Sequence, residues 1–267
     1  MERGFWDSPL WDRWDELSSA LEERATPAAE AARAILIGAL DEEDTNFAEE
    51  AQEILGRFPH GVLEPLLREA PGFGRFGSLC AIELFTHLEA REAEPVLVGM
   101  LENDDTTVRD WAAGALAELG SARAIPDLER AYDRWRESGE PPDWTEPLNV
   151  RRALTALGAR VEVIPERAAA LARPDDLIGQ HWRIADVEDV VNALSDADQV
   201  VTGVSAFEPS EHGFRLVFEA SPTYELDYSL PWERLVETAR EEALKAPRSA
   251  PGPDLIVTVD WIDKADL

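Results

Sequence analysis

The sequence is poor in cysteine and histidine, and each shortage excludes a class of site. The single cysteine, Cys80, cannot form an internal disulfide and is too few for a cysteine-based zinc site. The four histidines lie far apart along the chain, and none has another at the spacing of metal ligands. We therefore expect no metal ion and no other cofactor.

Long hydrophobic runs are also missing. The longest, residues 34–40, is far shorter than the ~20 residues that a membrane-spanning helix needs. Asp7 and Asp12 interrupt any signal-like run at the N-terminus. We therefore expect a cytoplasmic protein with no membrane partner.

Basic residues are scarce relative to acidic ones. The chain has 25 Lys plus Arg against 55 Asp plus Glu, a net charge of -30, and its only lysines are Lys245 and Lys264. Such a charge repels phosphate backbones, so we expect no nucleic-acid partner. It is typical of proteins that bind basic partners, but high acidity with little lysine is also typical of salt adaptation, and both explanations stay open.

What the sequence does contain is enough apolar material for about two domains. It has 267 residues, of which 45% are hydrophobic, so it can bury a substantial core. The hydrophobic period is helical in the first part and alternates after residue 175. This change predicts an α-helical domain over residues 1–173 and a small α+β domain over residues 174–267.

A repeat runs through the first part. Residues 40–47 align without gaps with residues 101–108, at an offset of 61 that also carries Pro65 onto Pro126, with Pro95 midway between them. The period is therefore 30 to 31 residues. Such a period with helical patterning is typical of a solenoid whose helix pairs bury their apolar faces by stacking.

Residues 104–120, followed by residues 124–128, resemble a short HEAT repeat of the phycobilisome-lyase type. The pair Val108-Arg109 and the small residues that follow it carry the resemblance, which returns at residues 150–158. It covers roughly residues 27–160 and implies an α-helical solenoid of HEAT-like repeats. About eleven extra residues precede the last helix, in a proline-rich loop that contains Trp144.

The two ends of the chain have patterns of their own. Ser8 and Pro9 predict the start of a helix in a segment that contains Trp6, Trp11 and Trp14. This segment either closes the open end of the solenoid or forms an aromatic patch that docks a partner. In the second domain we expect strands at residues 200–207, 213–219, 224–230 and 255–261. Helices are expected at residues 187–194 and 231–245, with the helices on one face of a mainly antiparallel sheet.

No motif in the chain assembles an enzyme site. Residues 72–77 match the G-x-G-x-x-G pattern of dinucleotide-binding proteins, but they follow an amphipathic helix instead of a strand. They therefore predict a connection between two helices. Cys80 lacks the local signature of a nucleophile and predicts an inert, packed thiol. We expect the protein not to be an enzyme.

The repeat register predicts a binding surface on the second helix of each pair. If Phe47 and Leu55 point into the core, the acidic residues between them point away from it. The resemblance implies that these second helices line the inner face of the solenoid. The resulting binding ridge contains Glu49, Glu50, Glu53, Glu83, His87, Asp110, Trp111 and Glu118, and Trp144 is a further candidate for partner binding.

An acidic ridge with an aromatic anchor predicts a protein-binding module for a basic partner. One form of this hypothesis is an immunity or inhibitor protein that neutralises a cationic nuclease toxin. The alternative is an enzyme or chromophore-handling protein, because similar repeats occur in phycobilin lyases. A DNA glycosylase of HEAT-like architecture would need a basic groove, and the predicted one is acidic.

Overall fold

The structure is a computed structural model and describes residues 13–23, 26–42, 44–139, 141, 145–160, 163–175, 179–210 and 213–266. The predicted helix start at Ser8 and Pro9 and the tryptophans Trp6, Trp11 and Trp144 lie outside these residues. The chain divides into two compact units, with the described residues up to 137 and from 145 to 160 in the first, and the described residues from 138 to 141 and from 163 to 266 in the second.

The first unit is helical throughout its described residues. In chain order its helices are α1 (Trp14–Glu22), α2 (Pro27–Ala39), α3 (Thr45–Arg57), α4 (Leu63–Glu69), α5 (Arg75–His87), α6 (Glu94–Met100), α7 (Thr106–Leu119), α8 (Ile125–Ser138) and α9 (Thr145–Ala156). The structure shows no strand between residues 27 and 160 wherever it describes the chain, as the sequence predicts.

The predicted period is confirmed by where the helices begin. The second helices α3, α5 and α7 begin at Thr45, Arg75 and Thr106, steps of 30 and 31 residues. Helix α9 begins later, at Thr145, because the extra loop precedes it. The second helices contact one another in a row, α3 with α5, α5 with α7 and α7 with α9. One continuous apolar core runs through the unit, as expected for a solenoid.

Polar residues in the turns fix the helix starts. The side chain of Asp105 accepts hydrogen bonds from the backbone N–H groups of Thr107 and Val108, at 2.9 and 3.3 Å, and so caps α7. The equivalent acidic turn works differently. Asp44 occupies the N-cap position of α3 without a side-chain cap bond, and Asp41 instead accepts from the backbone N–H of Gly74, at 2.7 Å, just before α5.

The glycine-rich segment is the predicted connection between helices. A 3-10 turn ends at Gly72, and α5 begins at Arg75. Gly77 lies in the first turn of α5 directly against Asp41, where a Cβ atom on residue 77 would stand 2.5 Å from the Asp41 Oδ1 and 3.0 Å from its Cα. Glycine is therefore needed at position 77 because the helix connection packs closely against it, and no phosphate group has to be invoked.

Helix α1 belongs to the core of the first unit. Trp14, Leu17 and Leu21 are buried on one stripe, as their spacing predicts. The Trp14 ring packs against the Phe47 ring of α3 with 4.8 Å between centroids. This contact agrees with the predicted role of α1 in closing the end of the solenoid.

The second unit combines a sheet with helices. Its elements are α10 (Glu166–Ala169), β1 (Arg173–Asp175), β2 (Gly179–Arg183), α11 (Val187–Asp196), β3 (Val200–Ser210), β4 (Gly213–Leu216), α12 (Trp232–Ala243), α13 (Lys245–Ser249) and β5 (Ile256–Ile262). The strand order is β1-β2-β5-β3-β4, and every pair is antiparallel. This is the small α+β domain that the sequence predicts.

The longest pairing, β3 with β5, sets the register of this sheet. Val204 faces Val259 and Phe207 faces Ile256, and a bulge interrupts the pairing between Val201 and Gly203. Helices α11 and α12 both pack against β3. The Trp182 indole of β2 donates a hydrogen bond to the Ala168 carbonyl at 2.9 Å, so α10 is tied into the same core.

Two expectations for the second unit differ from the structure. Residues 224–230 form no strand: the Tyr224 hydroxyl donates to the Val201 carbonyl at 3.1 Å, and Leu226 is buried against α12. Their alternating side chains reflect packing on a helix and not strand pairing. Helix α10 falls within the predicted first domain, residues 1–173, but its Ala168 lies in the core of the second unit.

In the part of the chain that the structure describes, no helix is both long and apolar enough to cross a bilayer.

Candidate functional site

Two grooves lie side by side between neighbouring second helices of the first unit. The α3–α5 groove has a volume of about 610 Å³ and is lined by Glu49, Gln52, Glu53, Gly56, Arg57, Glu83, Leu84 and His87. The α5–α7 groove has a volume of about 490 Å³ and is lined by Ile82, Glu83, Thr86, His87, Asp110, Trp111, Gly114, Ala115, Glu118 and Asn149. Glu83 and His87 belong to both, so the two grooves are continuous.

Helical spacing explains why these residues share a surface. Residues four apart lie on one face of a helix, and the α5 contributors Glu83 and His87 are four apart. On α7 the same spacing links Asp110 with Gly114 and Trp111 with Ala115. Because α3, α5 and α7 pack in a row, their stripes form one continuous surface.

Polar contacts connect the two walls of the α3–α5 groove. The Gln52 amide on α3 donates a hydrogen bond to the Glu83 carboxylate on α5, and Arg57 pairs with Glu53 one turn away on α3. The imidazole of His87 lies over Gly56, and a Cβ atom on residue 56 would be in van der Waals contact with the ring, at 3.4 Å. Glu49 lies exposed at the same groove and has no neutralising partner among the described ion pairs.

The α5–α7 groove is apolar at its base and acidic at its edge. Ala115 and Ile82 are buried, whereas Glu83 and Glu118 are exposed. Trp111 is 37% exposed, and it is among the large hydrophobic residues that the structure leaves open to solvent. Tryptophan is one of the residue types enriched at the hot spots of protein interfaces.

Asp110 has a different place from the one the sequence predicts. It lines the α5–α7 groove but is only 8% exposed. Its carboxylate accepts a hydrogen bond from the Asn149 amide of α9 at 2.6 Å. Burial raises the pKa of Asp110, and hydrogen bonds from Asn149 and Thr145 lower it by less. Asp110 therefore joins α7 to α9 instead of pointing freely out of the ridge.

The raised pKa of Asp110 predicts how stability depends on pH. A carboxyl group with a raised folded-state pKa contributes stability below the pKa of the unfolded chain, about 3.8, and that contribution is lost as the pH rises through the folded-state pKa. Asp110→Asn removes this titration. The melting temperature of the variant minus that of the parent is therefore expected to increase as the pH rises from about 4 to neutral.

Asp227 offers a control of opposite sign. Hydrogen bonds from the hydroxyl and the backbone N–H of Ser229 lower the pKa of Asp227. Its stabilising contribution is present above the unfolded-state pKa and lost as the pH falls. Asp227→Asn should therefore lose melting temperature relative to the parent as the pH rises. Equal slopes for the two variants would contradict the burial argument.

Helix α9 is held against α7 by a second, stronger connection. The Arg109 guanidinium makes a bidentate ion pair with the Glu146 carboxylate, at 2.6 and 2.9 Å. Its remaining N–H groups reach the carbonyls of Asn103 and Asp104 and the hydroxyl of Thr106. The Val108-Arg109 pair that carried the resemblance thus has a structural role, because it joins the turn before α7 to α9.

Most residues of the predicted ridge line the two grooves. Glu49, Glu53, Glu83, His87, Trp111 and Glu118 do so while exposed, and Asp110 does so while buried. Glu50 is half-buried and lines neither groove. Trp144 lies outside the described residues.

Several lining residues do not belong to the predicted ridge. Among them are the polar residues Gln52, Thr86 and Asn149, of which Asn149 comes from α9. Gln52 and Thr86 lie on the helical stripes of α3 and α5, so the spacing that gave Glu49 and Glu83 could have found them. Asn149 reaches the groove only because α9 packs on α7, which no local pattern indicates.

Cys80 is buried behind the groove surface, as the prediction of a packed thiol requires. Burial, together with the nearby carboxylates of Glu83 and Glu49, raises its pKa to about 12. The thiol is therefore protonated at neutral pH and a poor nucleophile. Among the residues that the structure describes, no three His, Cys, Asp or Glu side chains are placed to hold a metal ion.

Comparison with known proteins bears on the repeat alone. The family model described as HEAT repeats matches residues 79–138, which span α5 to α8 and confirm the resemblance to HEAT-like repeat proteins. Repeats of this family are in general non-catalytic scaffolds and indicate a protein-interaction or repeat module. The chain matches no curated protein and no solved structure.

Proposed function

We propose that the protein is a stoichiometric, non-catalytic binding module that binds a basic protein partner along the α3–α5 and α5–α7 grooves. The observation that carries the proposal is the partly exposed Trp111 in a continuous groove with the exposed carboxylates of Glu49, Glu83 and Glu118. An aromatic side chain that becomes buried when the partner binds, surrounded by complementary charge, gives compact protein interfaces much of their affinity.

The charge of the whole chain supports the same proposal. A net charge of -30 creates a long-range field that speeds encounter with a cation and repels other anions. A cationic nuclease toxin has a basic surface of the required kind, so an immunity or inhibitor role is the specific form that we propose. The family match names a repeat and no activity, so this role and the lyase alternative both stay predictions.

The test compares two variants with the same change in charge. The groove variant carries glutamine at Glu49, Glu53, Glu83 and Glu118. The control variant carries glutamine at Glu30, Glu64, Glu129 and Glu137, which are exposed on α2, α4 and α8 and line neither groove. The probe is a labelled short peptide rich in arginine and lysine, and the measurement is fluorescence anisotropy with the full chain.

We expect the groove variant to bind the peptide at least about tenfold more weakly than the parent, a loss of about 1.4 kcal/mol. The control variant should bind like the parent, because it loses the same net charge as the groove variant but keeps every groove carboxylate. Binding should weaken as salt rises from about 0.1 to 1 M, over which the Debye length falls from ~10 to ~3 Å. Equal weakening in the two variants would refute a groove-specific role and favour salt adaptation as the reason for the acidity.

A further inference from the structure

We infer that the α5–α7 groove is a pocket for an arginine side chain of the partner, with the guanidinium on the indole of Trp111 and between the carboxylates of Glu83 and Glu118. This inference rests on the proposed function and specifies the group that the groove recognises. The occupant to which it commits is an extended segment of a basic protein.

The lining of the pocket matches the two parts of an arginine side chain. An arginine has an apolar stem and a planar, permanently charged head. The α5–α7 groove offers apolar surface from Ile82 and Ala115 to the stem. Trp111 offers a ring to the head, and Glu83 and Glu118 offer carboxylates at the exposed edge.

The small residues of α7 explain why a side chain can lie beside the indole. Gly114 and Ala115 follow Trp111 by three and four positions, on the same face of the helix. A Cβ atom on residue 114 would meet only Asn149, at 3.9 Å. No large side chain therefore covers the surface next to the ring, and the ring borders an open groove of about 490 Å³.

Arginine fits this lining better than lysine does. A guanidinium stacks on an aromatic face and presents a fork of N–H donors to carboxylates, whereas an ammonium is a compact and strongly hydrated charge. Glu83 and Glu118 come from different helices, α5 and α7. A planar fork of donors suits carboxylates that come from two different helices better than a point charge does, and this favours arginine.

The neighbouring α3–α5 groove accepts a second basic side chain of the same segment. It shares Glu83 and His87 with the arginine pocket and adds Glu49 and Glu53. Packed helices lie about 8–10 Å apart, so adjacent grooves are separated by a similar distance. An extended chain in the polyproline II conformation has three residues per turn and advances about 3.1 Å per residue, so basic side chains three positions apart lie on one face, about 9 Å apart, and would fill both grooves.

The experiment compares peptides of equal charge on the full-length protein. One labelled peptide carries two arginines three positions apart in a glycine and serine background, a second carries lysines at the same positions, and a third carries two adjacent arginines. We expect the parent to bind the first peptide about tenfold more tightly than either of the others. Trp111→Leu should show a clearly smaller preference for the arginine peptide over the lysine peptide, because the leucine offers no aromatic face while the carboxylates remain.

Phe218→Leu provides the matched control, because Phe218 is an exposed aromatic residue of the second unit, 77% exposed and outside both grooves. It should keep the arginine preference of the parent.

If Trp111→Leu keeps that preference, or if the parent binds arginine and lysine peptides equally, the arginine pocket is refuted while the proposed function stands. Equal affinity for the spaced and adjacent arginines would refute occupancy of both grooves. If the parent binds none of the peptides, the proposed function itself fails.

Discussion

Replacing Glu146 with alanine is expected to lower the free energy of unfolding by about 3 kcal/mol. The side chain of Glu146 is only 6% exposed and that of Arg109 only 20%. Alanine at position 146 would leave the guanidinium largely buried without its carboxylate partner. Removing one member of a buried pair costs more than the pair contributes, because the remaining charge has lost both water and partner.

The Arg134–Glu102 pair is the matched control. It is also an arginine–glutamate contact, between helix α8 and the turn after α6, at 2.9 Å, but its side chains are 42% and 61% exposed. Glu102→Ala should therefore cost at most about 1 kcal/mol. Urea unfolding monitored by circular dichroism measures both variants. Similar losses from Glu146→Ala and Glu102→Ala would show that burial does not control the strength of these pairs.

A double-mutant cycle separates the ion pair from the loss of side-chain packing. Arg109→Met removes the charge while keeping an apolar stem of similar length. If the pair is the cause, the combined loss from Arg109→Met and Glu146→Ala should be clearly smaller than the sum of the two single losses. Additive losses would instead place the effect in other contacts of the two side chains.

Gly77→Ala is expected to destabilise the first unit by about 2 kcal/mol, because the added methyl group must displace backbone. The nearest atoms are the Oδ1, Cβ and Cα of Asp41, at 2.5, 2.9 and 3.0 Å from the Cβ position. A flexible side-chain tip could turn away from the methyl group, but the Cα of Asp41 cannot. The connection between α2 and α3 would then have to move away from α5.

Gly99→Ala is the control for this substitution. Gly99 lies in helix α6, is exposed, and has no atom within 4 Å of a Cβ position. Alanine should stabilise the helix there by roughly 0.5–1 kcal/mol. Thermal unfolding of both variants gives the comparison, and a neutral or stabilising Gly77→Ala would contradict the packing argument. Asp41→Gly should recover part of the loss from Gly77→Ala, since it removes the Cβ and the carboxylate that the new methyl group meets.

The acidity of the chain has two explanations, salt adaptation and partner binding. They differ in where the carboxylates must lie on the structure. Salt adaptation requires only that carboxylates be exposed, wherever they lie. Partner binding requires that some of them line a groove, as Glu49, Glu53, Glu83 and Glu118 do. The two glutamine variants of equal charge therefore distinguish a local property from a global one.

The repeat was predictable from sequence because its signal is local and recurs. The 61-residue offset is the distance from the start of α3 at Thr45 to the start of α7 at Thr106. Each unit must present the same apolar stripe to its neighbours, so the pattern is written several times along the chain. The helical spacing in turn placed Glu49, Glu83 and Trp111 on one surface.

The second unit was harder to predict because its sheet is assembled from distant segments. Strand β2 was missed since only Trp182 among its residues is strongly apolar, and it is held by pairing with β5 more than 70 residues later. Residues 224–230 alternate like a strand, yet they bury their side chains against α12. Periodicity tells which side chains are buried but not what they are buried against.

The sequence by itself determined the helical repeat, the sign of the charge and the surface on which the acidic residues and Trp111 lie. Only the tertiary structure decided which of these residues are open to a partner. Asp110 has the same spacing as its exposed neighbours, but α9 covers it, because the Arg109–Glu146 pair and Asn149 bring that helix onto α7. Exposure depends on contacts between residues nearly 40 positions apart, and no local pattern carries that information.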